Sequence, residues 1–142
     1  MNEKMSSIKI ENDNRKEIVK ELDQATKRAL TAVGMQAVTD IISKGDFPVD
    51  TGLLRNSITF AVSGESPAIS SYSASKGSKS GEYNGTAPDD KVPAVYIGTN
   101  VEYAKYVQYG TSKMAPRDFM YAPLKANIGH YKEILNKYLK QE

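Results

Sequence analysis

The chain has 142 residues, no cysteine and one histidine, and its 19 Lys+Arg residues nearly balance 17 Asp+Glu residues, for a formal net charge of +2. The lack of cysteine excludes disulfide frameworks, thiolate zinc sites and cysteine nucleophiles, and one histidine cannot form a histidine metal cluster within one chain. The small net charge predicts no general attraction to nucleic acid, so any contact with DNA would be local.

The chain is predicted to form a single domain over residues 1–142, large enough to bury a core without metal or disulfides. Its amino terminus lacks the apolar region of a signal peptide, and no stretch approaches the ~20 apolar residues of a membrane span. We therefore expect a protein that does not enter a membrane. Alternating residues at Ser7–Ile10 predict a marginal edge strand near the start.

A long helix is predicted over residues 14–44. Asn14 and Glu17 have capping-box spacing at its start, and Gly45 and Pro48 mark its end. Apolar residues at three- and four-residue spacing give it a stripe about 45 Å long. The stripe consists of Ile18, Leu22, Ala25, Ala29, Val33, Ala37 and Ile41. We expect it to pack in the core against a sheet or a second helix, and the alternative is helix pairing between subunits.

The residues after this helix predict a capped turn. Asp50 and Thr51 can cap the amides of a single helical turn, and Gly52 allows a tight path. Arg55 is placed to pair with Asp50 across the turn. Two roles remain open for the pair, which are to fix the turn within the subunit or to form an ion pair between subunits.

Two strands are predicted on either side of a long polar segment. Residues 56–62 alternate between apolar and small or polar side chains, which is typical of a half-buried strand. Residues 92–97 are apolar on both faces, which favours a return strand covered on both sides by core or by a neighbouring subunit. The segment 63–91 between them is rich in Ser and Gly. We expect a mobile loop that neighbouring subunits order on assembly, or else an extended hairpin.

Residues 95–119 carry most of the turn signals of the chain. The return strand ends in a turn at Gly98, and Asn100 is a candidate helix N-cap. The short helix that follows is predicted to leave Tyr109 at the periphery and to end at Gly110 in a left-handed conformation. Its predicted buried face consists of Tyr103, Ala104, Tyr106 and Val107. Backbone geometry is expected to require glycine at Gly52, Gly98 and Gly110.

The last predicted element is a helix over residues 118–140, with Pro123 tolerated in its first turn. Its apolar stripe consists of Leu124, Ile128, Tyr131, Leu135 and Tyr138. The elements together predict an α+β fold. In this fold a small antiparallel sheet packs with two long amphipathic helices and carries a long hairpin-type loop.

No set of residues converges on a catalytic site. Ser73 and Lys76 have the spacing of a serine–lysine pair, but they lie in the polar segment, where no helix start preorganises them. His130 has no carboxylate or histidine neighbour one helical turn away. The sequence therefore predicts no enzymatic activity, no cofactor and no metal site.

Two blocks of motif residues stand apart in the chain. The upstream block is Pro48-Val49-Asp50-Thr51-Gly52, Leu54-Arg55 and Ser57-Ile58; the downstream block is Gly98-Thr99-Asn100, Tyr103-Ala104, Tyr106-Val107, Gly110-Thr111, Ala115-Pro116-Arg117 and Phe119. Together they resemble a family of small tailed-bacteriophage proteins from the head-to-tail junction, described as neck, head–tail connector or tail-component proteins. The chain differs from the commonest pattern at Gln108, where an acidic residue is frequent, and at Asp118, which stands in place of a proline.

The resemblance implies a structural virion protein of the head–tail junction, in the neck, connector or tail-completion class, that forms a homo-oligomeric ring joining head and tail. Its partners would be further copies of itself, other neck, portal-side and tail proteins, and DNA contacted passively in a channel. Its location would be the virion, and the host cytoplasm during assembly. Candidate interface or motif residues are Asp50, Arg55, Tyr72, Tyr83, Tyr96, Tyr109 and Arg117.

Other functional classes remain as alternatives. A nucleic-acid-binding module would use Lys76, Lys79 and Lys91 for backbone contacts and the tyrosines of the 63–91 segment for base stacking. A small hydrolase is the least supported class, since the convergent groups that it needs are not evident.

Overall fold

The structure, a computed structural model, describes residues 15–48, 52–89 and 91–140, with side chains from Asp23 onward. Within these ranges the chain forms five helices and four strands, which confirms the predicted α+β class. In chain order these are α1 Arg15–Lys44, α2 Leu53–Ser57, β1 Thr59–Val62, β2 Ser71–Ser73, β3 Ser80–Glu82, β4 Val95–Gly98, α3 Ala104–Tyr109, α4 Tyr121–Ala126 and α5 Ile128–Leu139. The predicted strand Ser7–Ile10, the Asn14 cap and the Asp50–Thr51 cap lie outside the described residues.

Helix α1 forms the long side of the core. All of its stripe residues with described side chains are buried: Ala25, Ala29, Val33, Ala37 and Ile41. Ile18 and Leu22 lie outside the described side chains. The helix contacts β1, β4, α4 and α5. The described part of the stripe therefore packs within the subunit.

The strands form two separate antiparallel pairs. In the first, β1 pairs with β4, with Phe60 opposite Ile97 and Val62 opposite Val95. In the second, β2 pairs with β3 as a hairpin inside the long polar segment. The β1–β4 sheet lies directly on α1, since a Cβ placed on Gly34 would overlap the ring of Phe60.

Both predicted strands are shorter than the sequence pattern indicates. The first strand begins at Thr59 and not at residue 56, because the preceding residues close a helical turn that buries Leu53 and Leu54. The return strand begins at Val95 and not at residue 92. Beyond the strands the backbone N–H of Ser63 still donates to the carbonyl of Ala94 at 2.9 Å, but the N–H of Ala94 donates to the Ser63 hydroxyl at 2.8 Å in place of a backbone carbonyl.

The predicted helix over 118–140 is two helices with a break at Asn127. Asp118 precedes the first of them and caps it, since its Oδ1 accepts from the backbone N–H of Tyr121 at 2.8 Å and of Ala122 at 3.2 Å. At the break, the side-chain amide of Asn127 donates to the carbonyl of Pro123 at 2.8 Å. No helix in the described ranges is long and apolar enough to cross a membrane.

Candidate assembly surface

The two motif blocks meet where β1 begins and β4 ends. The hydroxyls of Ser57 and Thr99 lie 2.5 Å apart, which joins the end of α2 to the turn after β4. Ser57 is completely buried. Thr99 also accepts the backbone N–H of Val101 at 3.0 Å, so it shapes the turn that leads into α3. The motif residues Ser57 and Thr99 therefore fix how α2, the sheet and α3 are arranged.

The β2–β3 hairpin is attached to this junction from both sides. The amide of Asn56 donates to the carbonyl of Ser73 at 2.9 Å, and the amide of Asn100 donates to the carbonyl of Glu82 at 2.7 Å. Asn100 also accepts from the hydroxyl of Tyr72 at 2.5 Å. The hairpin form of the 63–91 segment is thus held by contacts within the subunit.

Tyr72 and Tyr83 help to attach the β2–β3 hairpin to the rest of the subunit. Their ring centroids are 5.5 Å apart, and the Tyr83 hydroxyl donates to the carbonyl of Ser57 at 2.6 Å. Burial raises the pKa of both hydroxyls, so both remain protonated donors at neutral pH. Tyr72 and Tyr83, which were candidate interface residues, therefore form contacts within the subunit that hold the hairpin in place.

Arg117 braces the loop that follows α1. Its guanidinium donates to Asp46 Oδ1 through Nη2 at 2.9 Å and Nε at 3.2 Å, and also to the carbonyl of Phe47 at 2.9 Å. Arg55 acts nearby, since its Nε donates to the carbonyl of Ile42 at 3.2 Å. The proposed partner of Arg55, Asp50, lies outside the described residues, so the Asp50–Arg55 pair stays a prediction.

Two of the three glycines expected from backbone geometry have that role. Gly110 has a φ of 77°, and a Cβ there would lie 2.7 Å from the nitrogen of Pro116. Gly52 has a φ of 80°, and a Cβ would lie 2.9 Å from the hydroxyl of Ser75. The expectation for Gly98 is wrong, because its φ is not positive and a Cβ would meet nothing within 4 Å.

The two positions that differ from the commonest family pattern contact each other. The amide of Gln108 donates to Asp118 Oδ1 at 2.7 Å, and its oxygen accepts from the backbone N–H of Met120 at 3.3 Å. The hydrogen bond from Gln108 lowers the pKa of the Asp118 carboxyl, with further lowering by backbone donors at the start of α4. Gln108 and Asp118 thus connect α3 to α4 as a pair.

The aromatic face of α3 differs from the prediction. Ala104 and Val107 are buried as expected, but Tyr103 is 40% exposed and Tyr106 is 49% exposed. The core side of this short helix is set by the chain that folds back behind it, where the N–H of Arg117 donates to the carbonyl of Val107 at 2.7 Å. The tyrosines at 103 and 106 therefore lie on the surface.

These tyrosines line an apolar groove of about 230 Å³ between α2 and α3. Its walls are Pro48, Gly52, Leu53, Leu54, Tyr103, Tyr106, Val107 and Met114. Beyond it, Tyr109 and Tyr121 are 64% and 45% exposed, and their hydroxyls are 2.9 Å apart. Tyr109 is thus peripheral, as predicted.

Few of these exposed aromatic and apolar residues were predicted from the sequence as interface residues. Tyr96, a sequence candidate, is 37% exposed on β4, away from the groove, whereas Tyr103, Tyr106, Met114 and Tyr121 were not among the predicted interface residues. The available signal is the density of tyrosines between residues 103 and 121.

In the described part of the chain, no group of three or more His, Cys, Asp or Glu residues could hold a metal ion.

The chain matches a family model over residues 9–110, which is more than two thirds of its length. The model is described as "Bacteriophage HK97-gp10, putative tail-component" and named HK97-gp10_like. Neither a curated protein nor a solved structure matches the chain significantly.

Proposed function

The chain belongs to the HK97-gp10-like family of bacteriophage tail components, and from this membership we propose that it is a structural virion protein of the head–tail junction. Copies of the chain form a ring there that joins head to tail. The ring contacts portal-side, neck and tail proteins, and DNA passes through its channel with only passive contact. Assembly takes place in the host cytoplasm before the protein is incorporated into the virion.

The observation that carries the proposal is the family match together with the tyrosine surface. Aromatic side chains are enriched in protein–protein interfaces, and buried tyrosines often contribute much of the binding energy. Tyr103, Tyr106, Tyr109 and Tyr121 expose 40% to 64% of their area within one short stretch of chain. A surface of this kind supports binding to protein partners.

The attached hairpin also favours a structural role. Side chains that are already fixed lose less conformational entropy when a partner binds. Asn56 and Asn100 hold the hairpin on the subunit before any partner is present. A subunit of this kind can dock with little rearrangement of its own backbone.

The nucleic-acid-binding alternative has less support. Stacking on single-stranded bases needs exposed aromatic faces beside basic groups. The Tyr72 and Tyr83 rings instead pack on each other, and their hydroxyls bond within the subunit. Lys76 and Lys79 are exposed in the hairpin, but no available aromatic face of the hairpin accompanies them.

The proposal is tested by deleting the gene from the phage or prophage that encodes the chain. We expect the lysate to contain separate heads and tails, and a plasmid copy of the wild-type chain should restore joined particles. Mass spectrometry of purified wild-type particles should detect the chain in multiple copies. Joined, infectious particles in the deletion strain, or particles that lack the chain, would overturn the proposal.

A further inference from the structure

The outer edge of β4 presents backbone groups that point away from β1. In an antiparallel pair, residues that bond to each other across the strands alternate with residues whose N–H and C=O groups point outward. The carbonyl of Phe60 accepts the N–H of Ala68 at 2.9 Å, so Phe60 points away from β4. Ile97 lies opposite Phe60 and therefore points away from β1. Val95, two residues earlier on the same strand, has the same orientation.

These outward groups of Val95 and Ile97 have no hydrogen-bond partner among the residues that the structure describes. An unpaired strand edge is a template for pairing with a further strand. The other edge of the sheet differs, because Ala68 already bonds to β1 there. The sheet can therefore be extended at β4.

The helix layer beneath the sheet is wider than the sheet. Phe60 of β1 packs on Gly34 of α1, whereas the apolar side chains of β4 pack against a cluster that α1 and α5 share. Two strands at ~4.8 Å spacing are about as wide as one helix of ~10 Å, so they cover one of the two helices. Ile134 and Leu135 of α5 border the shared cluster and remain half-buried. A further strand beside β4 would lie over these two residues.

The sequence contains a predicted strand that belongs to neither sheet. Within the described ranges the strands pair only as β1–β4 and β2–β3. The segment Ser7–Ile10, which lies outside those ranges, alternates between polar and apolar side chains. With Ile8 and Ile10 on the side of α5 and the polar residues on the opposite face, it has the pattern that a strand on this helix layer requires.

The direction of α1 carries its first residues past one end of the sheet. Lys27 pairs with Glu65 at 3.5 Å, and Glu65 follows the end of β1 that is paired with Val95. Gly34 lies beneath Phe60, nearer the middle of the sheet. The part of α1 before Lys27 therefore extends beyond the Val95 end.

The predicted strand consequently cannot pair with β4 of its own subunit. Arg15, where α1 begins, lies about 28 Å before Gly34 at 1.5 Å per residue. The nearer end of β4 is about two strand residues closer, which leaves roughly 21 Å. The chain from Ile10 to Arg15 spans at most about 18 Å when fully extended. A strand of this segment that extends β4 must come from another subunit.

We propose that Ser7–Ile10 of one subunit pairs with the β4 edge of a second copy of this chain as a third strand. The new strand runs antiparallel to β4, since purely antiparallel sheets are favoured over mixed ones. Ile8 lies opposite Ile97 and Ile10 lies opposite Val95, so the new backbone bonds use the free groups of β4. The two isoleucines of the new strand pack over α5.

The proposal rests on the ring assembly proposed above and names the surfaces that meet in it. In strand addition, main-chain hydrogen bonds supply affinity and alternate side chains supply specificity. Each subunit has one strand to donate and one edge to accept it. Such a heterologous contact repeats from subunit to subunit and generates a ring when the rotation closes.

The β4 strand of a second copy fits this edge less well. Pairing of β4 with β4 about a two-fold axis would bring two α5 helices under one edge, where each needs ~10 Å of width. That contact would also close at two subunits, because the same patch is used on both sides. The donated strand has neither restriction.

The test uses disulfide cross-linking in the cysteine-free chain. Lys9→Cys and Tyr96→Cys are prepared as separate variants, because the pairing places both on the face away from the helices, with Cα atoms ~4.5 Å apart. Mixing them under mild oxidation should give a dimer with one chain of each kind, and the double variant should give a ladder of oligomers. Ser7→Cys with Gly98→Cys is a second pair on the same face, since a Cβ on Gly98 meets nothing within 4 Å.

Controls separate this arrangement from others. Met35→Cys is the control partner for Lys9→Cys and should give no dimer, because Met35 is 60% exposed but lies on α1 and not on the sheet. Cross-linking of Tyr96→Cys only with itself would indicate two-fold pairing of β4 and overturn the proposal. A disulfide formed only within single chains of the double variant would overturn it too. So would the absence of both products, in the purified chain at high concentration and in particles assembled from the variants.

Proline substitution tests the main-chain pairing independently. Ile8→Pro removes the N–H that would bond to β4, whereas Ile8→Ala removes only side-chain contacts. Ile8→Pro should therefore weaken self-association roughly tenfold more than Ile8→Ala. Glu3→Pro, outside the predicted strand, should leave association unchanged. Equal effects of the two substitutions at position 8 would refute strand pairing.

Hydrogen exchange locates the acceptor edge. The amides of Val95 and Ile97 should exchange at least tenfold more slowly in the assembled wild-type chain than in the dilute subunit, and Ile8→Pro should abolish this protection. Unchanged exchange at both amides on assembly would contradict the proposal.

These outcomes are distinct from failure of the proposed function. Particles that contain the chain but show neither cross-link would leave the head–tail role intact and remove this interface. A chain that cross-links as expected but is absent from particles would do the reverse.

Discussion

The hydrogen bond between Tyr131 and Asp40 joins α5 to α1 across 91 positions of the chain. The Tyr131 hydroxyl donates to Asp40 Oδ2 at 2.7 Å, and the side-chain amide of Gln36 donates to Asp40 Oδ1 at 3.0 Å. Tyr131 is 8% exposed and Asp40 is 7% exposed. A buried carboxylate depends on such donors, because removing one leaves charge that water does not reach.

Replacing Tyr131 by Phe removes one of the two donors and keeps the ring. Hydrogen bonds to charged groups contribute about 1.5–3 kcal/mol, so we expect the free energy of unfolding to fall by about 2 kcal/mol. In a chain of this size that corresponds to a fall in melting temperature of roughly 5 °C. Tyr138→Phe on the same helix is the matched control, since no hydrogen bond of the Tyr138 hydroxyl is found in the described structure.

Urea unfolding of Tyr131→Phe, Asp40→Asn and the double variant measures the contact directly. The two substitutions should be coupled by about 1 kcal/mol or more, as expected for residues that share a hydrogen bond. A Tyr131→Phe variant as stable as Tyr138→Phe, or additive single effects, would show that the bond contributes nothing.

The same pair predicts a dependence on alkaline pH. Burial, followed by the hydrogen bond and charge of Asp40, raises the pKa of the Tyr131 hydroxyl above its ordinary value. A group with a raised folded pKa stabilises fully below its unfolded pKa and loses the contribution as pH rises. The stability difference between wild type and Tyr131→Phe should therefore be constant at neutral pH and shrink only above about pH 10.

Three further predictions concern the motif residues. Gly110→Ala should lower the free energy of unfolding by at least ~1 kcal/mol, because its φ is positive and Pro116 is too close, whereas Gly98→Ala should be nearly neutral; equal losses in urea unfolding would refute this. Because the hydrogen bond from Gln108 lowers the pKa of Asp118, that carboxylate stabilises the fold above its unfolded pKa of about 4 and loses the effect as pH falls, so Gln108→Leu should flatten the acid branch of a stability-against-pH curve; an unchanged branch would contradict it. Asn100→Ala should speed amide hydrogen exchange in the β2–β3 hairpin of the isolated subunit, whereas fast exchange already in the wild type would favour the mobile loop.

Helix α1 could be predicted from the sequence because its signals repeat over many turns. The spacing from Ala25 to Ile41 places one face in the core wherever that core lies, and the structure buries every described position of it. The ends of the strands are harder to predict, since at Ser63 a side-chain hydroxyl accepts the N–H that a backbone carbonyl would accept in a continuing ladder. A hydrogen bond from a side chain in place of the backbone does not alter the alternating pattern of the sequence, so the pattern does not indicate it.

The aromatic surface of α3 shows the opposite situation. A helix of six residues has too few turns to define its own buried side, and Tyr103 and Tyr106 fit an apolar face as well as Val107 does. The choice is made by contacts with a later loop, including the bond from Arg117 to Val107. The sequence pattern therefore predicts Tyr103 and Tyr106 on the buried face, whereas the structure places both on the surface.

The sequence leaves a mobile loop and an extended hairpin both open for residues 63–91, because the segment has few large apolar side chains to offset the cost of ordering it. Three large apolar side chains offset little of that cost, which is roughly 1 to 2 kcal/mol per residue for the backbone. The structure adds polar anchors at Asn56 and Asn100, which lie outside the segment. Their role depends on pairings between distant residues, which local patterns do not contain.

Electron microscopy of intact particles tests the head–tail assignment most directly. Averaging of the junction should reveal a ring of repeated density into which the subunit fits, and in the deletion strain this density should be missing together with the joined tails. An antibody or a tag on the chain should label the same position. Joined particles whose junction contains no copy of the chain, or labelling confined to another part of the virion, would contradict the account.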